Sequence, residues 1–338
     1  MDNSANSLLF LWLEITGKCQ LRCEHCYADS SPTGTHGTMA EPHWLRVINE
    51  AAELGVQTVQ FIGGEPTLHP SLPILIEHAL DEGMAVEVFT NLVRIDDKLW
   101  EVLSSSGVSL ATSYYSQIAG VHDSITGRTG SQRRTLSNIQ RALSFGIPLR
   151  VGVVGMRDDQ DVDEVMLSLA QLGVTDLGVD YLRQVGRGVR DQRQDVYQLC
   201  GKCADGTLAV SPTGDVWPCV FARWLCLGNV CEASLSTIHR SAVAAATREA
   251  LEDAFRQREI ARHDGFGDKS PGCNPNCHPN CNPRTCDPVC SPRCSPTCNP
   301  IACRPRECWP SFEDRAALTA RPTIGDGEIA GGCPGTNG

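Results

Sequence analysis

The sequence predicts an α/β protein: a partial (β/α)6 barrel of the TIM type followed by a C-terminal cysteine-rich extension. Short apolar runs alternate with longer amphipathic stretches from residue 8 to about 185. Each of five helical stretches closes on a glycine, a common helix stop. The eighteen cysteines are concentrated in groups, the first directly behind the first apolar run.

The predicted strands are "LLFLWLEI" (8–15), "VQTVQFI" (56–62), "AVEVFT" (85–90), "VSLATSY" (108–114), "PLRVGVVG" (148–155) and "DLGVDYL" (176–182). Between them lie "EPHWLRVINEAAELG", "PSLPILIEHALDEG", "DDKLWEVLSSSG", "SQRRTLSNIQRALSFG" and "DVDEVMLSLAQLG". All but the third repeat apolar residues every three or four positions, so Leu45, Ile48, Leu136 and Ile139 are expected in a core. Strands separated by helices imply βαβ units and a parallel sheet. Right-handed crossovers curl such units into a barrel, with chemistry at the C-terminal ends of the strands. A doubly wound sheet would show the same alternation.

Domain boundaries are drawn at 8–185 for the barrel, 196–260 for a second region, 271–310 for a Cys/Pro tract and 311–338 for a tail. In the second region "GTLAVSPTGDVWPC" reads as a hairpin and "SLSTIHRSAVAAATREALEDAFRQRE" as one long helix. The Cys/Pro tract can form neither a helix nor a central strand.

The formal charge of −11 disfavours nucleic acid as the main partner. The run "LLFLWL" is too short to span a bilayer, and no export signal precedes it. A cytoplasmic location follows as an expectation; there, cysteine clusters more often hold metal than form disulfides.

"TGKCQLRCEHCYADS" places Cys19, Cys23 and Cys26 in a CX3CX2C pattern just after the first strand. Three thiolates can hold three irons of a [4Fe–4S] cube and leave the fourth open. A closed zinc site is the alternative, but the next cysteine is Cys200. Behind the second strand stands "GGEP", Gly63 to Pro66. Glycines allow close backbone approach to a ligand, and Glu65 offers an acceptor to an ammonium group.

Together these residues resemble the radical S-adenosylmethionine (SAM) enzymes. Cys19, Cys23, Cys26 and Tyr27 match their cluster loop, and Gly63, Gly64 and Glu65 match the motif that takes the methionyl amine. By the same resemblance Asn91 after the third strand, Ser113 at the end of the fourth and Arg128 in the loop "VHDSITGRTGS" are expected to bind SAM. The resemblance implies chelation of SAM by the open iron and one-electron cleavage to methionine and a 5′-deoxyadenosyl radical. That radical then abstracts hydrogen from the substrate.

Cys200, Cys203 and Cys219, in "LCGKCADGTLAVSPTGDVWPC", resemble the opening of SPASM and twitch extensions, which carry auxiliary iron–sulfur clusters; a CX2C zinc hairpin is the alternative. Cys226 and Cys231 are either ligands or small core residues, and Cys333 is expected to be neither. The tract from Cys273 to Cys308 departs from the second half of a SPASM domain, so its ligands are left unassigned. No catalytic acid or base is assigned: His25 lies inside the cluster loop, and Asp180 and Tyr181 end the sixth strand.

The resemblance further implies a ribosomally made precursor peptide as substrate, with an oxidative thioether, carbon–carbon or cyclophane cross-link as the outcome. Peptide epimerisation, and oxidation or epimerisation of a sugar, aminocyclitol or nucleoside, are the alternatives; an iron–sulfur or metal-binding scaffold is the non-enzyme one. A short lead-in before the first strand gives the expectation that a separate small protein, or the barrel and tail, recognises the leader. An electron donor such as flavodoxin or ferredoxin is implied, with no nucleic-acid or membrane partner.

Overall fold

A computed structural model describes residues 7–190 and 195–264. The Cys/Pro tract, the tail and Cys333 lie outside the described residues. One compact unit holds the described chain up to Asp253, and a second begins at Ala254.

Six parallel strands form the barrel portion: β1 (Phe10–Thr16), β2 (Thr58–Gly63), β3 (Ala85–Phe89), β4 (Val108–Tyr114), β5 (Leu149–Gly155) and β6 (Asp176–Tyr181). Their order in the sheet is β6-β5-β4-β3-β2-β1. Every crossover therefore advances one strand in the same direction, and right-handed connections put all the helices on one face. A doubly wound sheet would reverse its order at a switch point; this one does not.

The helices are α1 (Glu41–Glu53), α2 (Leu72–Asp81), α3 (Asp97–Leu103), α4 (Ala119–Thr126), α5 (Ser131–Ser144) and α6 (Val162–Gln171). The five glycines expected to stop helices, Gly55, Gly83, Gly107, Gly146 and Gly173, have φ between +68° and +102°. That left-handed conformation is nearly free only to glycine. The segment expected to be wholly loop after the fourth strand contains α4, which ends at Gly127 with φ +66°.

Side chains alternate along each strand. Leu11, Leu13, Ile15, Phe61, Val88, Leu110 and Val151 pack against Trp44, Ile48, Leu75, Ile76, Trp100 and Ile139 of the helices. The opposite register carries Trp12, Ile62 and Phe89 on the inner face, where Ala209, Trp217 and Val220 of the extension join them.

The extension continues the sheet. Strand β7 (Thr207–Val210) pairs parallel with β1, and β8 (Asp215–Trp217) and β9 (Gly228–Asn229) follow antiparallel. The expected hairpin is present: the Ser211 hydroxyl accepts from the amides of Thr213 and Asp215, and Gly214 takes φ +90°. The stretch read as one long helix divides into α7 (Leu235–His239) and α8 (Ala242–Asp264). Ser241 causes the break: its hydroxyl accepts from the Ala244 amide at 3.1 Å, starting a new helix. No described helix is long and apolar enough to cross a membrane.

Candidate metal centre

The loop from Gly17 to Ser31 leaves the C-terminal end of β1 and carries Cys19, Cys23 and Cys26. Its path is fixed by the ends of the neighbouring strands. The Cys19 amide donates to the Ser31 carbonyl at 3.0 Å, and the Arg22 and Glu24 amides donate to the carbonyls of Thr126 and Ile125, each at 3.0 Å.

Three arginines fasten it from three strand ends. Arg128 donates to the Gln20 carbonyl at 3.1 Å. Arg157, following β5, donates to Glu24 from Nε at 2.9 Å and from its terminal nitrogen at 2.5 Å. Arg187, following β6, donates from Nε to the Cys23 carbonyl at 2.9 Å and reaches Asp29 and the Ser30 carbonyl, both at 2.6 Å. Its own amide donates to the Cys26 carbonyl at 3.0 Å. Gly186 permits this approach: with φ +58°, a Cβ there would lie 2.3 Å from the Tyr27 carbonyl oxygen.

Among the described residues no three or more His, Cys, Asp or Glu side chains converge on a point that would hold a single ion. The three thiols nonetheless lie near one another, since ionised Cys26 and Cys19 would each repel charge on Cys23. Burial, aided by the Glu65 carboxylate, pushes the Cys19 thiol up to about 12, and burial also raises Cys23. Neutral thiols in this pocket give up their protons readily only to a metal, which stabilises the thiolate directly. Donors are aimed at the sulfurs: Leu21 N to Cys19 Sγ at 3.4 Å, Ser30 N to Cys26 Sγ at 3.4 Å, and Asn91 Nδ2 to Cys19 Sγ at 3.6 Å. The donor set fits an iron–sulfur cluster held through three thiolates.

Glu65 is fully buried behind β2. It accepts from Thr67 N (3.1 Å), Thr67 Oγ1 and Thr90 Oγ1 (both 2.7 Å), and Asn91 N (2.8 Å). All four donors are neutral, no described ion pair includes Glu65, and burial pushes its carboxyl up. A buried carboxylate so arranged would gain strongly from a cation.

The two glycines before it serve a different purpose from the one expected. A Cβ on Gly63 would lie 2.4 Å from the Thr16 carbonyl oxygen, and one on Gly64 2.3 Å from that of Lys18. They admit the backbone of the cluster loop; the Gly64 amide donates to Thr16 O at 2.6 Å and the Glu65 amide to Lys18 O at 2.8 Å.

The remaining expected residues fall on the same rim. Asn91 is engaged with Gln20, whose amide donates to it at 3.0 Å, as well as with Cys19. Ser113 is half-buried next to the Tyr115 hydroxyl. Tyr115 in turn lies 3.1 Å from His25 Nε2, and burial pushes the His25 imidazole down to about 4. Tyr27 turns toward the extension, its ring edge-on to Phe221 at 5.1 Å.

Cys203 and Cys219 lie with sulfurs 2.8 Å apart at the foot of the hairpin. Cys200 joins them through hydrogen bonding to Cys203, which together with Arg183 draws its thiol down to about 5. Arg183 lies over the Phe221 ring at 5.1 Å and pairs with Asp180 at 3.0 Å. Arg223 contacts both oxygens of the buried Glu14 at 2.7 Å and covers Trp217 at 4.3 Å. Burial pushes Glu14 up, and Arg223 opposes that only in part. Asp180 and Tyr181 are at the rim, Tyr181 exposed. Cys226 packs beside Trp217, and Cys231 lies 3.6 Å from the Met39 sulfur.

Sequence reasoning missed Arg157, Arg183, Arg187 and Arg223. "GRG" directly behind the sixth strand was the one local signal, since paired glycines mark a close backbone approach.

A parallel barrel bearing a three-thiol loop and a buried, cation-free carboxylate at its C-terminal rim defines an iron–sulfur protein built to take a small cationic cofactor. Residues 13–170 match the Radical SAM superfamily, and residues 200–282 match SPASM, an iron–sulfur cluster-binding domain; the chain carries both domains. A radical SAM domain binds a [4Fe–4S] cluster and SAM, and a SPASM domain binds auxiliary iron–sulfur clusters.

The chain is 26% identical over 263 residues to the antilisterial bacteriocin subtilosin biosynthesis protein AlbA of Bacillus subtilis, covering 68% of this chain and 58% of that one. It is 29% identical over 181 residues to the PqqA peptide cyclase of Granulibacter bethesdensis, covering 53% and 48%. It thus spans about half the length of the curated relatives it matches. Among solved structures, Streptococcus suis SuiB bound to precursor peptide SuiA superposes with a TM-score of 0.60 at 15% identity, covering 71% of this chain and 66% of that one. The enzyme anSMEcpe with bound AdoMet also gives 0.60, at 14% identity, covering 72% and 83%. These two likenesses establish the fold.

Proposed function

We propose that this protein reductively cleaves SAM and uses the resulting radical to form an oxidative cross-link in a ribosomally made peptide. The cluster bound at Cys19, Cys23 and Cys26 and its SAM would supply a 5′-deoxyadenosyl radical, and an auxiliary cluster at Cys200, Cys203 and Cys219 an electron acceptor. Glu65 would hold the methionyl ammonium, with Thr67, Thr90 and the Asn91 amide fixing its carboxylate. Asn91 and Arg128 would keep the loop in place, and Ser113 and Tyr27 would line the cofactor's approach.

The observation that carries this reading is the Tyr27–Phe221 contact at 5.1 Å. Tyr27 follows Cys26 and Phe221 lies two residues after Cys219, so the two thiol sets face one inner wall. Trp12, Phe89 and Trp217 make that wall largely apolar, which excludes water from reactive intermediates. Its similarity to AlbA and to PqqA peptide cyclase supports a peptide as substrate. The protein would act in the cytoplasm, with a flavodoxin or ferredoxin supplying electrons and a separate small protein presenting the leader.

Anaerobic incubation with SAM, a reductant and the short peptide encoded beside this chain tests it. Mass spectrometry should show loss of two hydrogens per cross-link and 5′-deoxyadenosine formed alongside. An unchanged peptide mass with new D-residues would replace cross-linking by epimerisation.

A further inference from the structure

On the reading that the N-terminal triad holds a reducible cluster, we infer that Arg22, Arg128, Arg133 and Arg134 form the docking surface for an acidic one-electron carrier protein. The stretch "TGRTGSQRR", 126–134, holds three arginines and no acid in a chain whose formal charge is −11. The fold sets it against Arg22, the fourth, between Cys19 and Cys23. The Arg22 amide donates to Thr126 O at 3.0 Å, a Cβ on Gly127 would lie 3.5 Å from Arg22 Cβ, and the nearest atom to one on Gly130 is an Arg133 terminal nitrogen. Arg22, Arg133 and Arg134 are exposed, and Arg128 is half-buried against Gln20 O.

Neighbouring acids leave this charge uncancelled. Asp123 is engaged by the amides of Gly130 and Gln132 and by the Ser131 hydroxyl. Glu24 is matched by Arg157, and Asp29 by Arg187. A cationic face on an otherwise acidic protein steers an anionic partner and repels it elsewhere. Here it steers the partner to the stretch of loop between two of the three thiols. One electron would leave the reduced carrier and enter the cluster; no atom is transferred.

The test uses the full, reconstituted protein with reduced flavodoxin as the probe. Surface plasmon resonance reads affinity, and 5′-deoxyadenosine formation is followed in parallel with flavodoxin or dithionite as reductant. The double variant Arg133→Glu/Arg134→Glu should weaken flavodoxin binding and flavodoxin-driven turnover by about tenfold or more and leave dithionite-driven turnover intact. Arg133→Lys/Arg134→Lys should retain both, and raising salt from about 50 to about 300 mM should weaken wild-type binding.

Binding indifferent to charge reversal and salt overturns the proposal, as does an equal loss with both reductants or an absence of flavodoxin-driven turnover in the wild type. Loss of precursor-peptide modification under dithionite, with flavodoxin binding intact, would assign the patch to the substrate instead. Failure of wild-type protein to cleave SAM with dithionite would defeat the radical SAM reading itself, an outcome distinct from the others.

Discussion

Arg187 Nε donates to the Cys23 carbonyl oxygen at 2.9 Å, tying the segment after the sixth strand to the loop after the first. The same guanidinium reaches Asp29 and Ser30 O, so one side chain fixes the loop at three points. Hydrogen bonds to charged groups contribute about 1.5–3 kcal/mol each. Arg187→Ala should therefore lower iron bound after reconstitution and speed cluster loss to a chelator several-fold. Arg187→Lys, which keeps the charge but not the fork, should fall between. Iron analysis and the decay of the cluster's visible absorbance check this; an Ala variant as stable as wild type would remove the clamp's importance.

Glu65 should govern SAM rather than the cluster. Glu65→Gln removes the charge but keeps the size, and loss of a charge-assisted contact in a buried site weakens binding by about tenfold or more. Calorimetric titration with SAM should show that weakening with iron content unchanged. Equal SAM affinity in both proteins would exclude Glu65 as the ammonium partner.

The second thiol set should be separable from the first. Cys203→Ala/Cys219→Ala should lower iron by one cluster's worth and preserve dithionite-driven SAM cleavage, while abolishing net oxidation of the peptide. Mössbauer spectra and product analysis read the two effects. Retention of all iron would place the auxiliary ligands elsewhere.

Asp123 offers a pH test. Burial pushes its carboxyl up, but the Gln132 and Gly130 amides and the Ser131 hydroxyl outweigh that and hold it below its usual value of 3.8. A depressed carboxylate contributes stability that is complete above its unfolded value and is lost as pH falls through the folded one. Asp123→Ala should cost about 1–2 kcal/mol near neutrality, as loss of a helix cap does, and the difference should shrink below pH 3.8. Thermal unfolding of both proteins across this range measures it; a pH-independent difference would contradict it.

Much of the fold was legible because each barrel strand is a local apolar run closed by a helix with its own glycine stop. The two-part ending of the helical stretch after β9 was missed because Ser241 looks helical among alanines until its hydroxyl is seen capping Ala244. In the site, Cys19, Cys23, Cys26 and the GGE motif are contiguous and so readable. Arg157 and Arg187 act on a loop more than a hundred residues away in sequence, and nothing local marks an arginine as a clamp. Gly63 and Gly64 were legible as close-approach positions, but what approaches them is the chain's own backbone.

The most direct measurement is Mössbauer and EPR spectroscopy of anaerobically prepared protein, paired with assay of SAM cleavage. Wild type should show a [4Fe–4S] cluster whose spectrum changes on adding SAM, and should yield 5′-deoxyadenosine and methionine in equal amounts. A Cys23→Ala variant should lose that signal and all cleavage while keeping the auxiliary iron. Zinc at the N-terminal triad, or cleavage that persists without Cys23, would contradict the account.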